Sequence, residues 1–247
     1  MTATLATSWS EADFCFALSA GEAERHRADL AAAIYERACR TDFLAPGFCL
    51  LNLGTQLTSR SFRSLILALE RAMQPLHRAR LGRDLVLLSA GRFDQQATTK
   101  PHRDGGPDEC LLMLGYEPST VQADLLMSDY SRCAYDLGMT PREFLDQHNP
   151  MFVAGERLLQ GYTTRVSCFC NQNYQILFVN NSSASFSVEI PAWQGVLHTA
   201  AIRKPDPSAR RVVNSVMVAS VPVGVLGPIS ESAQEEFVQS ELVRGRG

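Results

Sequence analysis

Apolar residues follow a helical period in the first third of the chain. Residues 21–40 carry charged residues on one face and an apolar stripe on the other, which predicts one helix. A second helix is predicted over residues 59–78, with Pro75 kinking or ending it. The two stripes consist of Leu30, Ala33, Ile34 and Ala38 in the first helix and of Phe62, Leu65, Ile66, Leu69 and Met73 in the second.

A different pattern begins after residue 81. Short apolar or β-branched runs are separated by turn residues and predict many short strands. They extend from "DLVLLSAGRF" (84–93) to "RVVNSVMVASV" (211–221) and include "TTRVSCFC" (163–170) and "ASFSVEI" (184–190). A strand is also predicted between the two N-terminal helices, in "GFCLLNL" (47–53). One helix interrupts the strands, because Thr140 and Glu143 form a capping box around Pro141. The pattern indicates a sandwich or a barrel.

We find no repeat, low-complexity run or linker that would divide the 247 residues. The simplest prediction is a single domain, 1–247, of a mainly β, α+β fold. Residues 1–80 would form a helical support and residues 81–222 a β core, with an insertion at about 128–165. Residues 223–247 would form a C-terminal tail with a surface helix.

Composition narrows the class of protein without naming a function. The net charge of -3 and the 23 basic against 26 acidic residues give no indication of a nucleic-acid or membrane surface. No run reaches the roughly 18 apolar residues of a membrane span. The seven cysteines lack CxxC spacing, so we interpret them as buried or free thiols in a reducing cytoplasm.

The segment "TKPHRDGG" (99–106) brings a histidine and an aspartate two residues apart. In an extended strand, His102 and Asp104 point to one side and Arg103 to the other. The pair could supply two ligands to a divalent metal ion. Alternatively, the segment is a polar turn in which the aspartate caps the glycines.

A third ligand would have to come from elsewhere in the chain. His26 and His77 lie in charge-rich helical stretches, and His148 lies in a polar turn. His198 differs, because "GVLHTAAI" is an apolar strand pattern in which an imidazole is costly to bury unless something binds it. Two histidines and one carboxylate form the facial triad of non-haem Fe(II) oxygenases, which leaves three positions open.

A 2-oxo acid would occupy two of those positions and O2 the third. The far carboxylate of this cosubstrate needs a partner in an apolar barrel, and a guanidinium provides one bidentately. In "SARRVVNSVMVASVP" (208–222), Arg211, Val213 and Ser215 share one strand face. Arg210 and Arg203 are the alternatives to Arg211.

These pieces together resemble the 2-oxoglutarate and Fe(II)-dependent dioxygenases, most closely the isopenicillin N synthase-like branch. Four segments carry the resemblance: "KPHRDGGPDECLLML" (100–114), "QILFVNNSSASFS" (175–187), "GVLHTAAI" (195–202) and "RRVVNSVMVASVP" (210–222). The resemblance implies a double-stranded β-helix, which is a jelly-roll, cupin-like barrel.

The resemblance also implies an activity and its residues. His102, Asp104 and His198 would form the catalytic iron site, and Arg211 would hold 2-oxoglutarate with Ser215 beside it. The partners would be a small-molecule substrate and O2, and the reaction a hydroxylation, desaturation or cyclisation.

Two features depart from the family pattern. The closing motif is usually arginine, any residue, serine, and here Val213 stands at the arginine position before Ser215. The family also has no fixed counterpart for residues 131–166, which we expect to lie over the barrel mouth. Two other functions therefore remain open: a cupin-like isomerase or hydrolase that uses Zn²⁺ or Mn²⁺, and a non-catalytic binding protein on the same barrel.

Overall fold

The computed structural model describes residues 10–185 and 192–245 and shows a β-rich α+β fold. The α-helices are α1 (Ala20–Arg25), α2 (Arg27–Ala38), α3 (Ser59–Leu81), α4 (Tyr130–Asp136), α5 (Pro141–Gln147), α6 (Val153–Leu158) and α7 (Glu231–Gln239). The strands are β1 (Cys15–Ala17), β2 (Phe48–Asn52), β3 (Arg83–Asp94), β4 (Cys110–Tyr116), β5 (Gln122–Ser128), β6 (Thr163–Arg165), β7 (Gln175–Asn180), β8 (Leu197–Lys204), β9 (Val212–Pro222) and β10 (Arg244–Gly245). Short 3-10 helices cover Glu11–Phe14 and Gln160–Tyr162.

The strands form a large and a small sheet. The large sheet has the order β1-β2-β7-β4-β9-β3-β10, with antiparallel pairing from β2 to β3 and parallel pairing of the two outermost strands. The small sheet has the antiparallel order β6-β5-β8. The segment between β3 and β4 extends the small sheet, because the amide of Thr99 donates to Ala200 and His102 forms an isolated bridge with His198.

One face of the large sheet packs against α3, and the opposite face is turned toward the candidate metal ligands. A Cβ on Gly115 would lie 2.5 Å from Ile66 Cδ1, so this position of β4 touches the helix directly. Because side chains alternate along a strand, Leu112 and Leu114 face the opposite way. They belong to the same apolar core as Met127 of the small sheet.

The predicted helices are present, with two corrections. The first is interrupted at His26, whose φ of -106° and ψ of 27° separate α1 from α2. Pro75 lies inside α3 and does not end it, because the buried stripe around Met73 packs on both sides of the proline. The helix ends at Gly82, where φ is +61°. The capping box at Thr140 is confirmed as the start of α5.

The interpretation of all seven cysteines as free thiols is wrong for two of them. Cys15 and Cys168 form a disulfide that joins the edge strand β1 to the loop before β7. The partners are 153 residues apart in sequence, so only the tertiary fold brings them together. The other five cysteines are free.

The insertion predicted at about 128–165 contains α4, α5 and α6, and the predicted strand at residues 163–170 is limited to the three residues of β6. The strand predicted at residues 184–190 lies mostly outside the described residues. In the part of the chain that the structure describes, no helix has both the length and the apolar character needed to cross a membrane.

Candidate metal centre

Main-chain pairing brings the two histidines together. His102 and His198 exchange both backbone hydrogen bonds, at 3.2 and 3.0 Å, as one antiparallel pair. Side chains of directly opposed residues point to the same face of a sheet. The two imidazole centroids therefore lie 4.3 Å apart. His198 sits on β8 opposite Met127, so the small sheet holds it from the other side.

A backbone carbonyl orients the His102 ring. Nδ1 of His102 lies 2.8 Å from the carbonyl oxygen of Lys100. Donation from Nδ1–H to this carbonyl leaves Nε2 as the nitrogen with a free lone pair, which is the common arrangement of a metal-binding histidine. Nε2 is the atom that faces Asp104, 3.6 Å from its Oδ1.

Asp104 lies in a loop rather than in a regular strand, and Asn181 fixes its backbone. The amide of Asp104 donates to the Asn181 side-chain oxygen at 2.9 Å, and the Asn181 side-chain nitrogen donates to the Asp104 carbonyl at 2.9 Å. Asn181 is fully buried at the end of β7. These two hydrogen bonds hold the backbone at Asp104, which has no neighbouring strand to pair with.

Arg103 binds the segment after β7, although residues 103–104 do not form the extended strand that the sequence predicted. Its guanidinium donates to the Asn181 carbonyl at 3.1 Å and to Ser183 Oγ at 2.8 Å. Two further bonds reach the carbonyls of Gly106 and Pro107. Arg103 therefore connects the loop that contains Asp104 to the segment after β7.

One ligand atom from each of His102, Asp104 and His198 lies within 4.8 Å of the others. His198 is 7 % exposed and the other two side chains are less than a quarter exposed, so the group is reachable from outside yet shielded. Two imidazole nitrogens and one carboxylate oxygen suit Fe(II), Zn²⁺ and Mn²⁺. The donor set therefore fits the metal ion that the sequence predicts.

Arg211 directly precedes β9 and is buried, 2 % exposed. Its Nη1 donates to the backbone carbonyl and the side-chain oxygen of Gln95, and its guanidinium carbon lies 4.9 Å from the centre of the Tyr116 ring. Its Nη2 is buried and has no hydrogen-bond partner among the described residues. Burial lowers the pKa of Arg211, an effect that Tyr116 and Asp94 partly offset. An unused donor on a buried cation fits an anionic ligand.

The other arginine candidates lie elsewhere. Arg203 is exposed and binds Asp124 with both a terminal nitrogen and Nε, while Arg210 is exposed. Arg211 lies one residue before β9 and four residues before Ser215, so the alternation of an extended chain places the two on the same side. Ser215 lines a cleft of about 350 Å³ together with Asp104, Gly105 and Met217.

Sequence reasoning missed three residues of this region. Asn181 binds the backbone of Asp104, Gln95 binds Arg211, and Tyr116 stacks on Arg211. Asn181 is 77 residues from Asp104 in the sequence, and Gln95 is 116 residues from Arg211. Side-chain amides and phenols occur without a characteristic sequence spacing, so no local signal in the sequence identifies these three residues.

Comparisons with known proteins give structural likeness only. No family model matches the chain, and no curated protein matches it in sequence. Asparagine oxygenase AsnO has a TM-score of 0.46 at 10 % identity, over 85 % of this chain and 94 % of that one. The Kdo hydroxylase KdoO, a non-haem Fe(II) α-ketoglutarate-dependent dioxygenase, has a TM-score of 0.43 at 11 % identity, over 83 % and 89 %. HygX from Streptomyces hygroscopicus, solved with iron bound, has a TM-score of 0.41 at 12 % identity, over 84 % and 98 %.

KdoO belongs to the class of enzyme that the sequence motifs resemble. Because these TM-scores are below 0.5, the function proposed below rests on the residues of the site.

Proposed function

We propose that the protein is an Fe(II)- and 2-oxoglutarate-dependent oxygenase that acts on a small molecule. The observation that carries the proposal is the convergence of His102, Asp104 and His198, with one ligand atom of each within 4.8 Å. In this proposal the chain is one oxygenase-like domain, 1–247, whose two sheets form a double-stranded β-helix.

The three side chains would hold iron from one face and leave the opposite positions open. The carbonyl of Lys100 keeps Nε2 of His102 available, and Asn181 holds the backbone of Asp104. A metal site needs such supporting contacts, because a ligand that can rotate away binds more weakly.

Arg211 is the residue that selects an oxygenase over other uses of the same triad. Its free Nη2 and its buried position fit the far carboxylate of 2-oxoglutarate, with Ser215 on the same strand face. A hydrolase or isomerase that uses the metal ion as a Lewis acid needs no 2-oxo acid, so binding of 2-oxoglutarate through Arg211 distinguishes the oxygenase from these alternatives. Bound Fe(II) with 2-oxoglutarate supplies O2 activation coupled to decarboxylation of the cosubstrate.

The protein contributes placement and exclusion of water. Buried apolar residues, including Leu112, Leu114 and Met127, surround the site face. In such apolar surroundings the charge of Arg211 is only weakly screened, so it interacts strongly with a bound anion. The substrate determines whether the reaction ends as a hydroxylation, a desaturation or a cyclisation.

An anaerobic titration tests this proposal. Fe(II) is added to the purified protein, then 2-oxoglutarate, and the visible spectrum is recorded. We expect a weak metal-to-ligand charge-transfer band in the wild-type protein and its loss in His102→Ala. Arg211→Gln should need much more 2-oxoglutarate to give the band, whereas the exposed Arg210→Gln should behave like the wild type. Bound Fe(II) without any band on addition of 2-oxoglutarate would contradict the proposal.

A further inference from the structure

The C-terminal strand brings a second arginine to the site face of the large sheet. Arg244 of β10 pairs with Phe93 of β3, and Phe93 pairs in turn with Val213 of β9. Residues that pair directly project from the same face of a sheet. Arg244 therefore lies on the face that also carries Arg211 and Ser215.

Two buried arginines hold the C-terminal segment in this place. Arg63 is fully buried and donates to the carbonyls of Val238 and Ser240, and Arg92 also donates to Ser240. Buried guanidinium groups are costly unless their donors are used, so the position of this segment is strongly determined. The course of the chain from α7 to Arg244 follows from these contacts.

Arg244 borders the cleft beside the candidate metal ligands. The cleft has a volume of about 350 Å³ and contains Asp104 as its one other charged residue. Its remaining walls are small, hydroxyl or apolar: Ser89, Ala90, Gly91, Phe93, Gly105, Ser215 and Met217. Arg244 is exposed, and among the described residues its side chain makes no hydrogen bond or ion pair. A cation with unused donors at the rim of a small, partly apolar cleft fits an anionic ligand.

We propose that Arg244 binds a carboxylate of the substrate, so that the enzyme acts on small carboxylic acids with a short apolar body. This inference rests on the proposed function. A single planar guanidinium matches one carboxylate through two parallel hydrogen bonds. Phe93 and Met217 would contact the apolar body, and Asp104 places that part of the cleft beside the metal site. Arg211 then serves the cosubstrate and Arg244 the substrate.

The test compares a carboxylic acid with its amide. The full-length protein is loaded with Zn²⁺ and saturated with 2-oxoglutarate, so that the cosubstrate position is filled and no turnover occurs. Binding of 3-phenylpropanoate and of 3-phenylpropanamide is then measured by ligand-observed NMR. We expect the wild type to bind the acid about fivefold more tightly than the amide, since an ion pair of an exposed arginine contributes up to about 1 kcal/mol.

The variants assign that preference to a residue. Arg244→Gln should remove the preference for the acid, Arg244→Lys should keep part of it, and the exposed Arg60→Gln on α3 should leave it intact. Equal binding of acid and amide by the wild type would overturn the inference. An unchanged preference in Arg244→Gln would also overturn it, since the acid would then bind elsewhere.

Failure of the proposed function has a different signature. It removes the Fe(II)–2-oxoglutarate charge-transfer band from the wild type itself. Failure of the present inference leaves that band intact in both the wild type and Arg244→Gln and changes only the acid-to-amide ratio.

Discussion

The arginines on the two sides of β9 differ in how their terminal nitrogens are bonded. On the helix-facing side, Asn214 donates to Glu117, which also binds Arg92, and Arg63 lies in the same cluster beneath α3 and α7. Both terminal nitrogens of Arg63 and of Arg92 have hydrogen-bond acceptors within the protein. On the site-facing side, Nη1 of Arg211 donates to Gln95, whereas its buried Nη2 has no hydrogen-bond partner within the described part of the chain.

This difference separates a structural arginine from a ligand-binding one. A buried cation whose terminal donors all end on the protein stabilises the fold and has nothing left for a ligand. A buried cation with a free terminal donor is incomplete until an anion arrives. The same strand thus serves stability on one face and recognition on the other.

The largest expected effect concerns the helix-facing side. Arg63→Met removes the bonds to Val238 and Ser240 and one partner of Glu117, and should lower the free energy of unfolding by about 3–5 kcal/mol. Urea denaturation followed by circular dichroism measures this. The exposed Arg60→Met on the same helix should change it by no more than about 0.5 kcal/mol. A loss below about 1 kcal/mol in Arg63→Met would break the comparison.

The second effect concerns the site-facing side. Arg211→Gln should weaken 2-oxoglutarate binding about 100-fold, since loss of one partner from a buried charged pair costs about 2–5 kcal/mol. The free energy of unfolding should fall by only about 1–2 kcal/mol, less than in Arg63→Met, because Arg211 loses the bonds from Nη1 to Gln95 while Nη2 has no protein partner to lose. Titration of the metal-loaded protein gives the first quantity and denaturation the second. A large loss of stability with unchanged binding would place Arg211 with Arg63.

The third prediction concerns support of the metal loop. Asn181→Ala removes both side-chain contacts with the Asp104 backbone and should lower metal affinity about tenfold. Competition between the folded protein and a chelator for Co²⁺ measures the affinity. Asn173→Ala, which loses a contact with Asn52 instead, is the control and should bind Co²⁺ like the wild type. Equal affinities in the two variants would show that the loop holds Asp104 without Asn181.

The smallest effect near neutral pH concerns His77 on the helix-facing side. His77 is buried between Tyr35 and Ser220, and burial lowers its pKa from 6.5 to about 4. The unfolded chain takes up a proton at higher pH than the folded protein does, so acid favours unfolding. Stability should be constant above about pH 6.5 and fall by up to about 1.4 kcal/mol per pH unit below it, toward pH 4.

Denaturation at several pH values measures this dependence. His77→Gln should flatten the curve between pH 6.5 and pH 4, whereas the exposed His26→Gln should follow the wild type. An identical slope in His77→Gln and the wild type would assign the pH dependence to other groups.

Local patterns predicted the elements of this chain well. The stripe around Phe62 and Met73 predicted α3, and the capping box at Thr140 predicted α5, because both signals lie within a few residues. The break at His26 was missed, since no glycine or proline stands at or beside it. Arg92 shows a further limit of the sequence. Its strand was predicted, but the sequence does not show which layer packs on each side of the sheet, and this packing decides that Arg92 contacts Glu117.

The same division holds for the candidate site. Sequence alone determined the ligand candidates His102, Asp104 and His198 and the strand face of Arg211, because residue type and strand alternation are local properties. Only the tertiary structure decided that the two histidines, which are 96 residues apart in the sequence, form a backbone pair. It also decided that Cys15 bonds to Cys168 and that Arg244 lines the cleft. These contacts depend on how separate segments pack against one another, and the free energy that selects the packing is distributed over the whole core.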